Sequence, residues 1–334
     1  MLYSSTARMS TRIWYLVLVP FLIMLPGIAL LKAPSAQQGR PDNPYRIKVN
    51  ANLVLLHATV KDAKGIPISG LDQDNFQVYE DGALQQISYF SHDDIPVTVG
   101  LLIDNSGSMR RKRTEIMASA LAFARSSNPQ DQMFVINFNE HVRFALPDNT
   151  PFTDKVSELR IALSTIITNG QTALYDAVAA GIDHLSIGDR DKKVLIVISD
   201  GGDNASHHNL RQVMALAQQA DAIIYTIGFF DDTDEDRDLR VLRKLARETG
   251  GEAFLPRSLK ETVPTCERIA RDIRNQYTIA YVPTNKRQDG TYRTIQVKTS
   301  TPGRRHLLVR TRAGYRAPLA PQPSPVVSYT PRSQ

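Results

Sequence analysis

Between residues 96 and 275, short apolar runs alternate with amphipathic segments of helical period, and this alternation restricts the fold more than any other feature. The runs "VTVGLLID" and "KKVLIVISD" are apolar almost throughout, as strands covered on both faces must be. "QMFVINFN", "AIIYTIGF" and the short "EAFL" supply further strands. Between them, Ile116, Ala120, Leu121 and Ala124 fall on one helical face, and Leu174, Val178, Ile182 and Leu185 on another. Helical segments are also expected near 209–220, 236–249 and 258–275. Strands separated by helices need crossover connections, so the expected core is a doubly wound, mainly parallel α/β sheet with helices on both faces.

The flanks have a different texture. Residues 46–95 read as β segments, "IKVNANLVLLHATVKD" and "NFQVYEDGALQQISYFS", with a turn around Gly65. The pair Asp81-Gly82 between alternating stretches is a hairpin signal. After residue 275, "QYTIAYVPT", "GTYRTIQVKTS" and "HLLVRTRAGYR" alternate without intervening helices, so they do not extend the α/β sheet as crossover units. The economical arrangement is one β-sandwich built from 46–95 and 276–316, with the α/β domain of 96–275 inserted in it. Residues 37–45 read as a linker, and 317–334, with five prolines, as a disordered tail.

The amino terminus carries an export signal. Arg8 and Arg12 precede "IWYLVLVPFLIMLPGIALL", residues 13–31, which hold no charge. This stretch is long for a cleaved signal's apolar core and close to a membrane span. The small residues of "KAPSAQQ" keep cleavage open near Ala33 to Ala36, so 1–36 is either a signal peptide or an amino-terminal membrane anchor. Both place the remainder outside the cytoplasm, in the cell envelope, the periplasm or the extracellular space. A hydrophobic content of 42% and a charged content of 22% suit a chain with a sizeable core. The net charge is +6, but no nucleic-acid-binding motif accompanies it, and Arg304, Arg305, Arg310, Arg312 and Arg316 read as the wet face of a strand. Cys266 is the single cysteine, which excludes an intramolecular disulfide, and its setting reads as a buried helix position.

The candidate site lies where the apolar runs end. In open α/β sheets ligands bind beyond the carboxyl ends of the strands. Two runs end in aspartate, Asp104 in "LLIDNSGSMR" and Asp200 in "VISDGG". If their strands are neighbours the carboxylates converge, and their mutual repulsion calls for a counter-charge. Ser106 and Ser108, two apart in an extended turn with Gly107 between them, would aim both hydroxyls the same way. Thr172, opening a helix after Gly170, adds a third hydroxyl. This all-oxygen set, without His or Cys, suits Mg²⁺, Mn²⁺ or Ca²⁺ rather than zinc. The run "DDTDEDRD", residues 231–238, reads as a solvated loop leading into a helix, with a second calcium site as the alternative. His207 and His208 read as exposed residues near the metal face.

Residues 96–275 resemble a von Willebrand factor type A domain, and with the flanking β segments the chain resembles bacterial VWFA-related proteins. The family's metal-ion-dependent adhesion site follows the pattern Asp-x-Ser-x-Ser, a later Thr and a later Asp, met here by Asp104, Ser106, Ser108, Thr172 and Asp200. The resemblance implies a divalent cation held by these residues, with one position open to an Asp or Glu of a protein or matrix partner. It implies recognition rather than catalysis. The rival readings are an envelope protein whose ion only braces the fold and a Mg²⁺-dependent phosphohydrolase. The latter would want a second aspartate where Ser106 stands.

Overall fold

The structure is a computed structural model that describes residues 53–164, 169–229, 237–301 and 307–320. The chain divides into Met1–Asp42 and Asn43–Gln334, and every described residue belongs to the second unit. The apolar segment 13–31, the linker, residues 231–236 of the acidic run, Arg304 and Arg305, and the tail from 321 lie outside the described residues.

The chain opens with strands β1 (Val54–Lys61), β2 (Phe76–Glu80), β3 (Ala83–Gln85) and β4 (Ile87–Ser91). The α/β part follows: β5 (Val97–Asp104), α1 (Arg113–Ser126), β6 (Gln132–Phe138), β7 (Val142–Phe144), α2 (Val156–Ser164), α3 (Leu174–Ser186) and β8 (Lys192–Ser199). It continues through α4 (Leu210–Gln219), β9 (Ala222–Gly228), α5 (Leu239–Thr249), β10 (Ala253–Phe254) and α6 (Thr262–Arg274). Four strands close the chain: β11 (Tyr277–Tyr281), β12 (Tyr292–Thr299), β13 (Leu308–Arg310) and β14 (Gly314–Arg316).

The central sheet has the order β10-β9-β8-β5-β6-β7. All its pairings are parallel except β6 with β7, an antiparallel edge that the sequence pattern did not announce. All residues of β5 and β9 are buried, which is why those runs lack polar alternation. Helices flank the sheet in two groups, α1 with α2 and α6, and α3 with α4 and α5. Leu174, Val178, Ile182 and Leu185 of α3 are all buried in the core, as their spacing predicts. Cys266 is buried on α6, and that burial pushes its thiol up to about 12. Helix α2 is a further element that the sequence reading passed over.

The flanking strands form two antiparallel sheets, β13-β1-β11-β4 and β14-β12-β2-β3, so segments from both ends of the chain pair within each. Leu56, Ala58, Phe76, Val78, Tyr277, Ile279, Ile295 and Val297 share one core between the sheets. The fold class is therefore a doubly wound, mainly parallel α/β sheet set in a β-sandwich made by both flanks. Asp81 (φ 47°) and Gly82 (φ 82°) supply the left-handed pair that a two-residue hairpin between β2 and β3 requires. The stretch "HLLVRTRAGYR" is not one strand, since β13 joins β1 and β14 joins β12. Past residue 316, the amides of Ala317 and Ala320 still bond to Thr291 and Gln288, so the chain is ordered through 320.

A charge cluster, buried at Lys61 and Asp272, joins sandwich to α/β domain. Lys61 of β1 contacts Asp272 of α6 at 2.5 Å and Glu252 at 2.7 Å, and Arg310 of β13 also engages both carboxylates. Arg312 bonds Asp221 at 2.5 Å and the Leu55 carbonyl at 2.8 Å. Arg310 and Arg312 thus do not form the wet face of a strand. Their guanidiniums are drawn to carboxylates of the neighbouring domain, where a forked donor satisfies several acceptors at once.

Two outcomes follow from this packing. A chain ending at Asn275 loses β11 to β14, so amide protection across β1 should collapse in hydrogen exchange while β5 and β8 keep theirs. Asp272→Ala leaves Lys61 short of its fully buried partner. It should cost roughly 3 kcal/mol in urea titration, the low end for a broken buried pair because Glu252 remains. The paired change Lys61→Met with Asp272→Leu should recover most of that loss.

Candidate metal centre

The geometry begins with the register of two parallel strands. β5 and β8 pair Ile103 with Ile198, so the next positions, Asp104 and Ser199, are neighbours at the carboxyl edge. In-register residues point to the same face of a sheet. The Ser199 hydroxyl accordingly donates to Asp104 Oδ2 at 2.6 Å. The Ser106 amide donates to Asp104 Oδ1 at 2.9 Å, so both carboxylate oxygens already accept a hydrogen bond. Asp200 lies one residue beyond β8, where the chain leaves the ladder, and its Oδ1 accepts the Gly202 amide at 3.0 Å.

The serines bridge the two acids. Ser106 Oγ lies 3.2 Å from Ser108 Oγ, and Ser108 Oγ donates to Asp200 Oδ2 at 2.5 Å. The chain from 107 to 112 is a 3-10 helix rather than an extended turn, yet it still aims both hydroxyls together. Gly107 is not the residue that this geometry needs: its φ is not positive, and an added Cβ would meet nothing closer than 3.7 Å. Gly201 is. It adopts φ 85°, and a Cβ there would fall 2.5 Å from the Asp238 carbonyl oxygen.

Thr172 precedes α3, whose cap residue is Ala173. Its own hydroxyl makes no hydrogen bond among the described residues. The Thr172 loop is nonetheless bound to the others. Gly107 N bonds Gly170 O at 3.2 Å, Asn169 N bonds Asn105 O at 3.0 Å, and Ala173 N bonds Asn139 O at 2.7 Å. Asn204, from the loop after Asp200, accepts the Thr172 amide at 2.8 Å and returns its own amide to the Thr172 carbonyl. The first turn of α3 is capped from that same loop, with Asp203 accepting Tyr175 N and the Ser206 hydroxyl accepting Asp176 N. Asp176 in turn accepts the backbone and ring nitrogens of the exposed His207 and His208.

Sequence reading missed Ser199, Asn204, Asp203 and Ser206. Ser199 was legible, because it sits one residue before the second aspartate in a strand expected beside the first. The other three act across loops, and nothing in their local pattern reports that.

Asp104, Ser106, Thr172 and Asp200 are buried, while Ser108 is exposed and marks the open side. Burial, and next the charge of Asp200, push the Asp104 carboxyl up to about 7. Two close carboxylates in a desolvated setting favour either a proton or a cation. Among the described residues there is no group of three or more His, Cys, Asp or Glu side chains placed for a metal. This centre has two carboxylates, and its remaining donors are hydroxyls. That donor set fits a hard divalent ion and does not fit zinc or copper.

Comparison with known proteins places the fold. The von Willebrand factor type A domain family matches residues 98–265. No curated protein matches. Among solved structures, a von Willebrand factor type A protein from Catenulispora acidiphila is similar at 13% identity and TM-score 0.48, over 83% of this chain and 76% of that one. The vWF domain of a type V pili tip protein from Porphyromonas gingivalis is similar at 12% identity and TM-score 0.44, over 54% of this chain and 95% of that one. Proximal thread matrix protein 1 from the mussel byssus is similar at 15% identity and TM-score 0.45, over 58% of this chain and 51% of that one. With half of its length matched, and that half folded as a doubly wound sheet with its aspartates at the carboxyl edge, the chain belongs to the von Willebrand factor type A domain family.

Proposed function

We propose that the protein is an exported, non-enzymatic binding module that recognises a carboxylate of a protein or matrix partner through a divalent cation. The observation that carries this reading is the continuous oxygen cluster Asp104–Ser106–Ser108–Asp200, open on the Ser108 side and flanked by the Thr172 loop. Ser106, Ser108 and Thr172 would hold the ion directly. Asp104, with both oxygens already engaged, would act through water. A bound ion of this kind supplies an electrophilic position for one further oxygen ligand. The chain's own part is to hold three neutral hydroxyls and two acids in place, so that the ion keeps affinity for an incoming Asp or Glu.

The bracing alternative is weaker, because the three loops are already joined by backbone hydrogen bonds that need no ion. The hydrolase alternative lacks an acid/base group, since Ser106 stands where a second aspartate would act. Export rests on the amino-terminal apolar stretch alone.

Calorimetry on the full chain should show one Mg²⁺ or Mn²⁺ bound, with uptake abolished by Asp104→Ala and reduced by Ser108→Ala. Saturating metal at about 100 times Kd should add about 2.7 kcal/mol of stability to the wild type, less to Ser108→Ala and none to Asp104→Ala. Equal uptake by all three proteins would remove the assignment.

Thr172→Val separates recognition from bracing. Because the hydroxyl holds no hydrogen bond among the described residues, the change should cost less than about 1 kcal/mol in thermal melting. Chelator-sensitive capture of the partner from envelope extract should fall by about tenfold or more, equivalent to about 1.4 kcal/mol. Capture that survives both the substitution and chelation would leave the ion a brace.

A further inference from the structure

We propose that the basic face of α5 is a docking surface for an acidic, extended polypeptide, continuous with the candidate metal centre; this rests on the recognition reading above and names its partner more closely. Arg240, Arg243, Lys244 and Arg247 stand at i, i+3, i+4 and i+7, which places them on one face of the helix. With Arg310 of β13 and the edge of the central sheet at Glu252, they line a groove of about 600 Å³.

Exposed cations on a helix are ordinarily solvated and interleaved with acids, and three features set this face apart. Among the described residues its charges are poorly matched. The side chains of Arg240 and Arg247 are 91% and 77% exposed and, among the described residues, meet only Asp238 and Glu248, each within two residues in sequence. Arg243 and Lys244 are exposed and pair with no carboxylate among the described residues. Glu252, the acid lining the groove, is already held by Lys61 and Arg310.

The second feature is placement along the helix. Arginine in the first turn opposes the helix dipole, so Arg240 does not serve helix stability. The third is position in the fold. The amino end of α5 rests on the Asp200–Gly201 turn, where the Asp238 carbonyl fills the space a Gly201 side chain would need. Its carboxyl end reaches the sandwich, where Gly250 abuts the backbone of Thr311 and Arg312. The stripe therefore leads away from the metal centre over roughly 10 Å, about one Debye length, so its charges act together.

A partner whose carboxylate enters the metal centre can lay further Asp or Glu residues along this path, three or so extended residues covering its length at about 3.3 Å each. A concave groove against a sheet edge suits a polypeptide chain. A flat anionic bilayer would meet only the side-chain tips.

The test uses the full chain and a short fluorescein-labelled polyglutamate peptide, read by anisotropy with Mg²⁺ or with EDTA. Arg243→Gln with Lys244→Gln should weaken binding by about tenfold or more in both conditions. Melting should be unchanged, and Arg125→Gln, on the exposed part of α1, should have no effect. Thr172→Val should remove only the Mg²⁺-dependent part. Binding that needs Mg²⁺ but ignores the double substitution would overturn the docking surface and leave the metal reading standing. Binding lost in the double variant and indifferent to Mg²⁺ would support the surface while the metal reading fell. Preference for phosphatidylglycerol vesicles over the peptide, lost in the same variant, would overturn the polypeptide assignment.

Discussion

The parallel pairing of β5 with β8 is the constraint on which the rest depends. It sets Asp104 beside Ser199 and leaves Asp200 one step past the ladder, where its backbone is free to turn. Two acids are thereby brought to one edge without sharing a position. Each is stabilised by its own amide, Ser106 N for Asp104 and Gly202 N for Asp200. A shift of register by one residue would move Asp104 and Ser199 out of alignment and send one of them to the opposite face. Packing opposes such a shift, because the place of Gly100 has no room for a side chain between Phe134 and Leu195.

Around this edge, hydrogen bonds join one loop to the next. The loops carrying Ser106, Thr172 and Asp200 are bound to one another through Gly170, Asn105, Asn139 and Asn204. A site organised before any ligand arrives spends less of its binding energy on ordering its own groups. The α/β domain is held against the sandwich by Lys61, Arg310 and Arg312, which meet Asp272, Glu252 and Asp221. Of these, only Lys61–Asp272 is buried on both sides, and a buried pair is costly to break singly, so it fixes the placement of the two modules more than it adds net stability. Helix α5 reaches both regions, with its amino end at the Asp200–Gly201 turn and its carboxyl end at the junction.

Much of this was legible in the residues. Uninterrupted apolar runs announce central parallel strands because both faces are covered, and helical spacing such as Leu174, Val178 and Ile182 announces their crossovers. Asp81-Gly82 marked its hairpin because few residue pairs tolerate two left-handed conformations. β7 and α2 were not legible: three residues at an edge and nine in a helix carry too few apolar positions for a clear period. Gly107 drew attention by its place in a motif, whereas Gly201 carries the steric demand, which appears only once Asp238 is packed against it.

By itself, the sequence determined the fold class, the strand ends at which Asp104 and Asp200 stand, and the oxygen-only character of Asp104, Ser106, Ser108, Thr172 and Asp200. These follow from local periodicity and residue type. Only the tertiary structure decided that Ser199 donates to Asp104, that Asn204 holds the Thr172 loop, and that Arg310 and Arg312 face carboxylates instead of water. Each of those contacts joins residues far apart in the chain, and a hydrogen bond or ion pair across such a separation leaves no periodic trace in the sequence. Strand order and register create it.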